Sequence, residues 1–272
     1  MTAETVDVLG VLFDDLTRQE AAAEIARLAG HDAKTYVVKP YSEFMPRAHR
    51  DERVRDILNG ATLRLADGAG ILWAANYTSL PGGRLRALLQ FPLSLASLVF
   101  RPSALRRPLR EAMAGVDLTW EMLEALAASG RSVYLLGGMA DESAGAVRAV
   151  RERLPSLTIA GARDGYFRSR DAENVAEAIN AASPDVLLVA LGFPRQEKWI
   201  AENLPRLKVR VAVAEGGSFS FISGATARAP RWMRRGGLEW LFRLLRQPSR
   251  LRRQLALPVF VWLVLRQRLD RI

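Results

Sequence analysis

Three stretches of this 272-residue chain put reactive or ligand-binding residue types just past runs that read as β-strands. In LRLADGAGILWAA (63–75), Asp67-Gly68 follows such a run and precedes a helical pattern, so the Asp67 carboxylate projects into a crevice at the strand end. In VALGFPRQEKWIAENL (189–204), Gly192 closes a strand and Pro194 opens a helix, which puts Gln196 and Glu197 in its first turn. A helix N-terminus at that edge is a natural anion site, and the Gln196 amide can donate to a phosphate or a sugar hydroxyl. In VYLLGGMADES (133–143), Gly137-Gly138 lets a phosphate or a base approach the backbone. Each stretch also has a plainer reading. Asp67-Gly68 can be a turn that satisfies its own N–H groups, Glu197 can offset the helix dipole beside a solvated Gln196, and the glycine pair can be a tight connection.

The elements that must position these residues follow from the pattern around them. Short β-rich runs, TYVVKP (35–40), ATLRLA (61–66), SVYLLGG (132–138), LTIAGA (157–162), DVLLVALG (185–192) and VRVAVAEGG (209–217), alternate with helical patterns such as DLTWEMLEALAASG and AENVAEAINAAS. Strands alternating with helices predict an α/β fold: a Rossmann-like, mostly parallel sheet with helices on both faces. Ligands of such sheets bind outside the carboxyl ends of the strands, where all three stretches lie.

Composition removes several chemistries. The chain has no cysteine, which excludes disulfides, thiolate metal sites and a cysteine nucleophile. Its two histidines are too few for a histidine-based metal site. G-x-G-x-x-G, the P-loop and Asp-x-Asp are all missing, so a dinucleotide site, an ATP site and a metal-bound nucleotide diphosphate lack their motifs. The N-terminus, MTAETVDVLGVLFDDL, does not read as a signal peptide, and the expected location is the cytoplasm.

Charge is unevenly placed. Residues 228–272 hold twelve arginines against Glu239 and Asp270, so the whole net charge of +10 sits there and the first 227 residues balance to zero. Such a tail calls for an anionic partner: nucleic acid, anionic lipid or a phosphate-bearing substrate. Its arginines are interleaved with leucines, Trp232, Trp240 and Trp262, and no nucleic-acid-binding motif accompanies them, which favours an anionic membrane surface and no nucleic acid. Besides the tail's apolar run LALPVFVWLVLRQRL (255–269), a second, 87–100, is flanked by Arg84, Arg86, Arg101, Arg106, Arg107 and Arg110. Neither run reaches the roughly 20 apolar residues of a membrane span, so each reads as interfacial or as a helix under the core. The expected organisation is an α/β core over 1–227 with an insertion near 80–110, then a basic amphipathic appendage over 228–272. An unshielded apolar tail also makes a homo-oligomer plausible.

Taken together, ADG (66–68), GVDL (115–118), YLLGG (134–138), GYF (165–167), GFPRQE (192–197), GGSF (216–219), RAP (228–230) and GLEW (237–240) resemble the WecG/TagA/CpsF family of bacterial glycosyltransferases, in the family's order and over nearly the whole chain. The resemblance implies an inverting transferase that needs no metal and no cofactor. It moves a sugar, typically N-acetylmannosamine, from a UDP-sugar donor to an amino sugar on a polyprenyl diphosphate. It implies Asp67 as the general base, Gln196 as an active-site amide, and Arg243, Arg250 and Arg253 as tail arginines that complete the site at the membrane. By position in the motifs, Glu43, Gly68, Asp117, Gly137, Gly138, Gly192, Glu197, Gly216 and Gly217 are expected at the substrates.

The chain departs from the family pattern in places. The family's Thr-x-Asn-x-Glu stands here as KPYSE (39–43), with Lys39 and Tyr41 in place of threonine and asparagine. Ala112 replaces an arginine, with Arg110 close by, and Ser220 replaces an aspartate. Lys39 facing the same crevice is one way to restore the missing cation. A divergent, inactive membrane-associated relative is the alternative reading, with a nucleic-acid-binding module behind it.

Overall fold

The computed structural model describes residues 4–113, 115–230, 233, 242, 244 and 251–272, with the backbone alone described at 169, 252 and 253. Along the chain run β1 (Thr5–Val8), β2 (Val11–Asp14), α1 (Arg18–Leu28), β3 (Thr35–Val38), α2 (Met45–Arg50), α3 (Glu52–Asn59), β4 (Leu63–Arg64), α4 (Ala69–Ser79) and α5 (Arg84–Phe100). There follow α6 (Gly115–Ala128), β5 (Val133–Gly137), α7 (Ala140–Arg153), β6 (Ile159–Arg163), α8 (Ala172–Ala182), β7 (Val186–Ala190), α9 (Arg195–Asn203), β8 (Val211–Ala214), α10 (Ser218–Ile222), α11 (Leu251–Gln254) and α12 (Ala256–Asp270).

Strands β5, β7 and β8 are buried along their whole length, which is why they read as unbroken apolar runs rather than as alternating ones. They form the middle of a six-stranded parallel sheet in the order β4-β3-β8-β7-β5-β6. Alternate residues feed two cores. Leu187 and Val189 of β7 face one that includes α4, α8, α9 and α12, whereas Val186, Leu188 and Ala190 face the other with α1, α6, α7 and α10. The α/β fold with helices on both faces is therefore what the alternation of strands and helices predicts.

The sequence pattern did not reveal the antiparallel hairpin β1-β2, which lies outside the sheet. Its turn uses Leu9 at φ 53° and Gly10 at φ 84°, and leucine is an uncommon residue in that region. The far end of the chain secures it: the Leu9 N–H donates to Gln267 Oε1 at 3.1 Å, and Gln267 and Arg271 both donate to Asp7.

Helix α12 ends the segment expected as an appendage, yet it is docked. Phe260 and Val264 are buried in the core with α4, and Phe260 meets the edge of Trp73 at 6.1 Å. Arg268 is buried too, stacked over Tyr77 at 4.4 Å and donating to Leu80 O and Gln90 Oε1. The insertion near 80–110 is α5 followed by a 3₁₀ turn at Pro102–Leu105. Among the described residues no helix is long and apolar enough to cross a membrane.

Candidate active site

All six strands of the sheet run parallel, so the segments after β3, β4, β5, β7 and β8 share its carboxyl edge. That edge collects Lys39, Tyr41, Glu43, Asp67, Gly68, Gly137, Gly138, Gly192, Gln196, Glu197, Gly216 and Gly217 from five separate parts of the chain. Asp67 extends β4 by one bridge to Tyr41, with its N–H donating to Pro40 O at 3.1 Å. Gly68, at φ 85°, then caps α4, turning the chain away and leaving the Asp67 carboxylate half-buried at the crevice. A Cβ added at Gly115 would lie 3.6 Å from Asp67 Oδ2 and 3.7 Å from Ser218 Oγ, so the start of α6 adjoins both the carboxylate and the start of α10.

Gln196 is buried, and its amide is already in use. Oε1 accepts from the N–H of Gly192 at 3.2 Å and of Gly216 at 3.0 Å, and Nε2 donates to Glu197 Oε1 at 2.8 Å. One side chain thereby ties the turn after β7 to the turn after β8. Glu197 lies in an almost fully desolvated position, and burial pushes its carboxyl up to about 7 against the pull of the Gln196 hydrogen bond.

The glycines divide into two kinds. At Gly137 a Cβ would come within 2.3 Å of Ala190 O, so this glycine is required by strand packing, the plainer of its two readings. At Gly68, Gly192, Gly216 and Gly217 a Cβ would meet nothing within 4 Å. Those four expose backbone to open space around Gln196 and Asp67, the condition for a ligand to approach the main chain. Beside them Tyr41, Phe44 and Phe193 form a row, Phe193 stacked on Phe44 at 3.6 Å and Tyr41 tilted against Phe44 at 3.9 Å.

Two expected cations are engaged elsewhere. Lys39 is buried and paired with Glu215 at 2.8 Å, and Thr119 Oγ1 lies 2.6 Å from the same carboxylate. A buried ammonium needs a counter-charge, and Glu215 supplies it, so Lys39 does not offer the crevice a free positive charge in place of the arginine missing at Ala112. Arg110 is exposed and gives its guanidinium to Asp15 and Glu20, at 2.9 Å and 2.6 Å, rather than standing ready for a phosphate. Asp117, in the first turn of α6, is gripped by both terminal nitrogens of Arg228 at 2.7 and 3.1 Å, with Arg18 at 3.5 Å. Glu215, Thr119 and Ser218 were not among the expected site residues; the one signal for them was a carboxylate directly before the glycine pair in VAVAEGG. Arg243 and Arg250 lie outside the described residues, as does the side chain of Arg253. Among the described residues no three His, Asp or Glu side chains gather as a metal ion would require.

The glycosyl transferase WecG/TagA/CpsF family model matches this chain over residues 6–91 and 86–272. The chain belongs to that family. An N-acetylglucosaminyldiphosphoundecaprenol N-acetyl-β-D-mannosaminyltransferase of Bacillus subtilis strain 168 is 31% identical over 220 residues, 81% of this chain and 75% of the relative. A protein of the same description from Staphylococcus aureus strain MRSA252 is 27% identical over 259 residues, 94% of this chain and 91% of the relative. The fold is thus that of a WecG/TagA/CpsF glycosyltransferase, and the departures from the family pattern can be placed in it. Ser220 donates to Glu142 Oε1 at 2.6 Å, a contact that an ionised aspartate there could not make. Tyr41 joins the aromatic row, and Ala112 rests against the core.

Proposed function

We propose that this WecG/TagA/CpsF glycosyltransferase moves an N-acetylmannosamine-like sugar from a UDP-sugar to an amino sugar carried on a polyprenyl diphosphate, with inversion at the anomeric carbon. The relatives' description supports the sugar and the acceptor: it names transfer of an N-acetyl-β-D-mannosaminyl group and an N-acetylglucosaminyldiphosphoundecaprenol. The observation that carries the proposal is the Asp67 carboxylate just past β4, half-buried beside the start of α6, on the same sheet edge as the open glycines Gly68, Gly192 and Gly216. In the reaction the acceptor hydroxyl gives its proton to Asp67 as its oxygen forms the bond to the anomeric carbon. The bond from that carbon to the UDP oxygen breaks, and the electron pair leaves on the diphosphate. Gln196 acts by holding the Gly192 and Gly216 turns in register, so their amides stay fixed at the edge the donor occupies.

The departing diphosphate needs positive charge. With Lys39 and Arg110 both paired, the tail arginines Arg243, Arg250 and Arg253 are the remaining candidates from the family pattern, and guanidinium forks suit a diphosphate. A lipid-linked acceptor, with no membrane-crossing helix among the described residues, supports a peripheral protein working on the inner face of the cell membrane. The test is UDP release from a panel of UDP-sugars with a short-chain polyprenyl-diphosphate amino sugar, comparing wild type with Asp67→Asn. Loss of about 10²–10⁴ in kcat with an unchanged melting curve is expected. An unchanged rate would remove Asp67 as the base.

A further inference from the structure

Helix α5 has its polarity reversed. Between Leu88 and Phe100 every exposed position is apolar: Leu88, Leu89, Pro92, Leu93, Ala96, Val99 and Phe100. The exposure of its large side chains runs from 49% at Leu88 to 81% at Phe100. The polar residues of the same stretch, Gln90, Ser94 and Ser97, are turned inward and are all in use. Gln90 accepts from Arg268, Ser94 accepts from Trp73 Nε1 at 3.1 Å, and Ser97 donates to Ser94 O at 2.6 Å. A helix whose own hydrogen-bonding groups are satisfied against the protein, and whose outward stripe is leucine, valine and phenylalanine, is not arranged to face water.

Charge identifies what covers it. From Ala69 to Arg110 there is no aspartate or glutamate, while six arginines occur. Arg110 is paired with Asp15 and Glu20, which leaves Arg84 and Arg86 at the start of α5 and Arg101, Arg106 and Arg107 past its end, all exposed. A second copy of the chain would bring the same arginines against these, like charge on like charge. An anionic lipid surface accepts both the apolar stripe and the basic ends.

We propose that the outward face of α5, Leu85 to Phe100, is a membrane-binding surface that lies in the interface of an anionic bilayer. This deepens the reading of a lipid-linked acceptor and rests on it. The surface is joined to the site by α4, which begins beside Asp67. Trp73 and Tyr77 of α4 hold α5 through Ser94 and the Ala87 carbonyl, and Phe260 of α12 packs on Trp73. The family match also comes in two parts whose ends overlap at 86–91, inside α5.

The test uses the full chain, which has no cysteine, so Leu93→Cys carries a single nitroxide. On binding phosphatidylglycerol–phosphatidylcholine vesicles, that label is expected to gain contact with oxygen dissolved in the lipid and to lose contact with a water-soluble relaxing agent. A label at exposed Glu152→Cys on α7 is expected to change in neither respect. Leu89→Glu with Leu93→Glu is expected to weaken vesicle binding about tenfold or more. A label at 93 that stays in water on vesicle-bound protein overturns the proposal, since the tail alone would then be the anchor. A charge variant that binds vesicles normally but dissociates a dimer also overturns it, in favour of an interface between copies. Turnover of a water-soluble short-chain acceptor is expected to survive in the charge variant. Its absence in the wild type would refute the transferase reading and leave the vesicle result standing.

Discussion

Replacing Glu197 with glutamine should make the protein more stable above neutral pH. Burial holds the Glu197 carboxyl near 7, against an ordinary value of 4.5. Between those values the folded chain keeps a proton that the unfolded chain releases. Its stabilising contribution is therefore complete below about pH 4.5 and is lost as pH rises through 7. At about 1.36 kcal/mol per pH unit, that difference amounts to about 3 kcal/mol by pH 8. Glutamine abolishes the titration while keeping a carbonyl oxygen where Gln196 Nε2 now donates at 2.8 Å. Urea unfolding of both proteins from pH 4.5 to 8 should give curves that meet at the acid end and separate by about 3 kcal/mol at the alkaline end, with the variant above. A wild type that is the more stable at pH 8, or a gap that does not vary with pH, would refute the reasoning.

Lys39→Met strands Glu215 as a buried, unpaired charge and should cost about 3–5 kcal/mol, read from urea midpoints; adding Glu215→Leu should return much of it. The two kinds of glycine should separate in kinetics. Gly137→Ala drives a methyl into Ala190 and should lower the yield and melting temperature of folded protein, whereas Gly217→Ala, at φ −93° with open space at its Cβ, should mainly raise KM for the UDP-sugar. Equal effects of the two on KM would mean that Gly217 does not border the donor.

The parallel sheet could be read from the chain because strands buried on both faces must be apolar throughout, and the placing of Asp67 and the glycine pairs at its carboxyl edge could be read because each comes shortly after a strand. What could not be read depends on partners far away in the sequence. Nothing near Lys39 indicates that Glu215 neutralises it, and nothing near Arg110 indicates Asp15 and Glu20. The β1-β2 hairpin was missed because its turn carries leucine where asparagine or glycine would have signalled it. Gly137 and Gly192 both follow strands, but only the structure shows that one is packed against a neighbour and the other is open.

The clasp between the β1-β2 turn and α12 joins residues 258 positions apart, Leu9 and Gln267. A ribosome working at roughly 5–20 residues per second needs on the order of ten seconds or more to cover that distance. For that interval the hairpin lacks its fastening, and for the shorter one until Phe260 is made the face of α4 that α12 covers stays open. The nascent chain therefore displays α5 together with the sides of Trp73 and Tyr77 that Phe260 and Arg268 later cover, and completion of the fold waits for α12 to emerge.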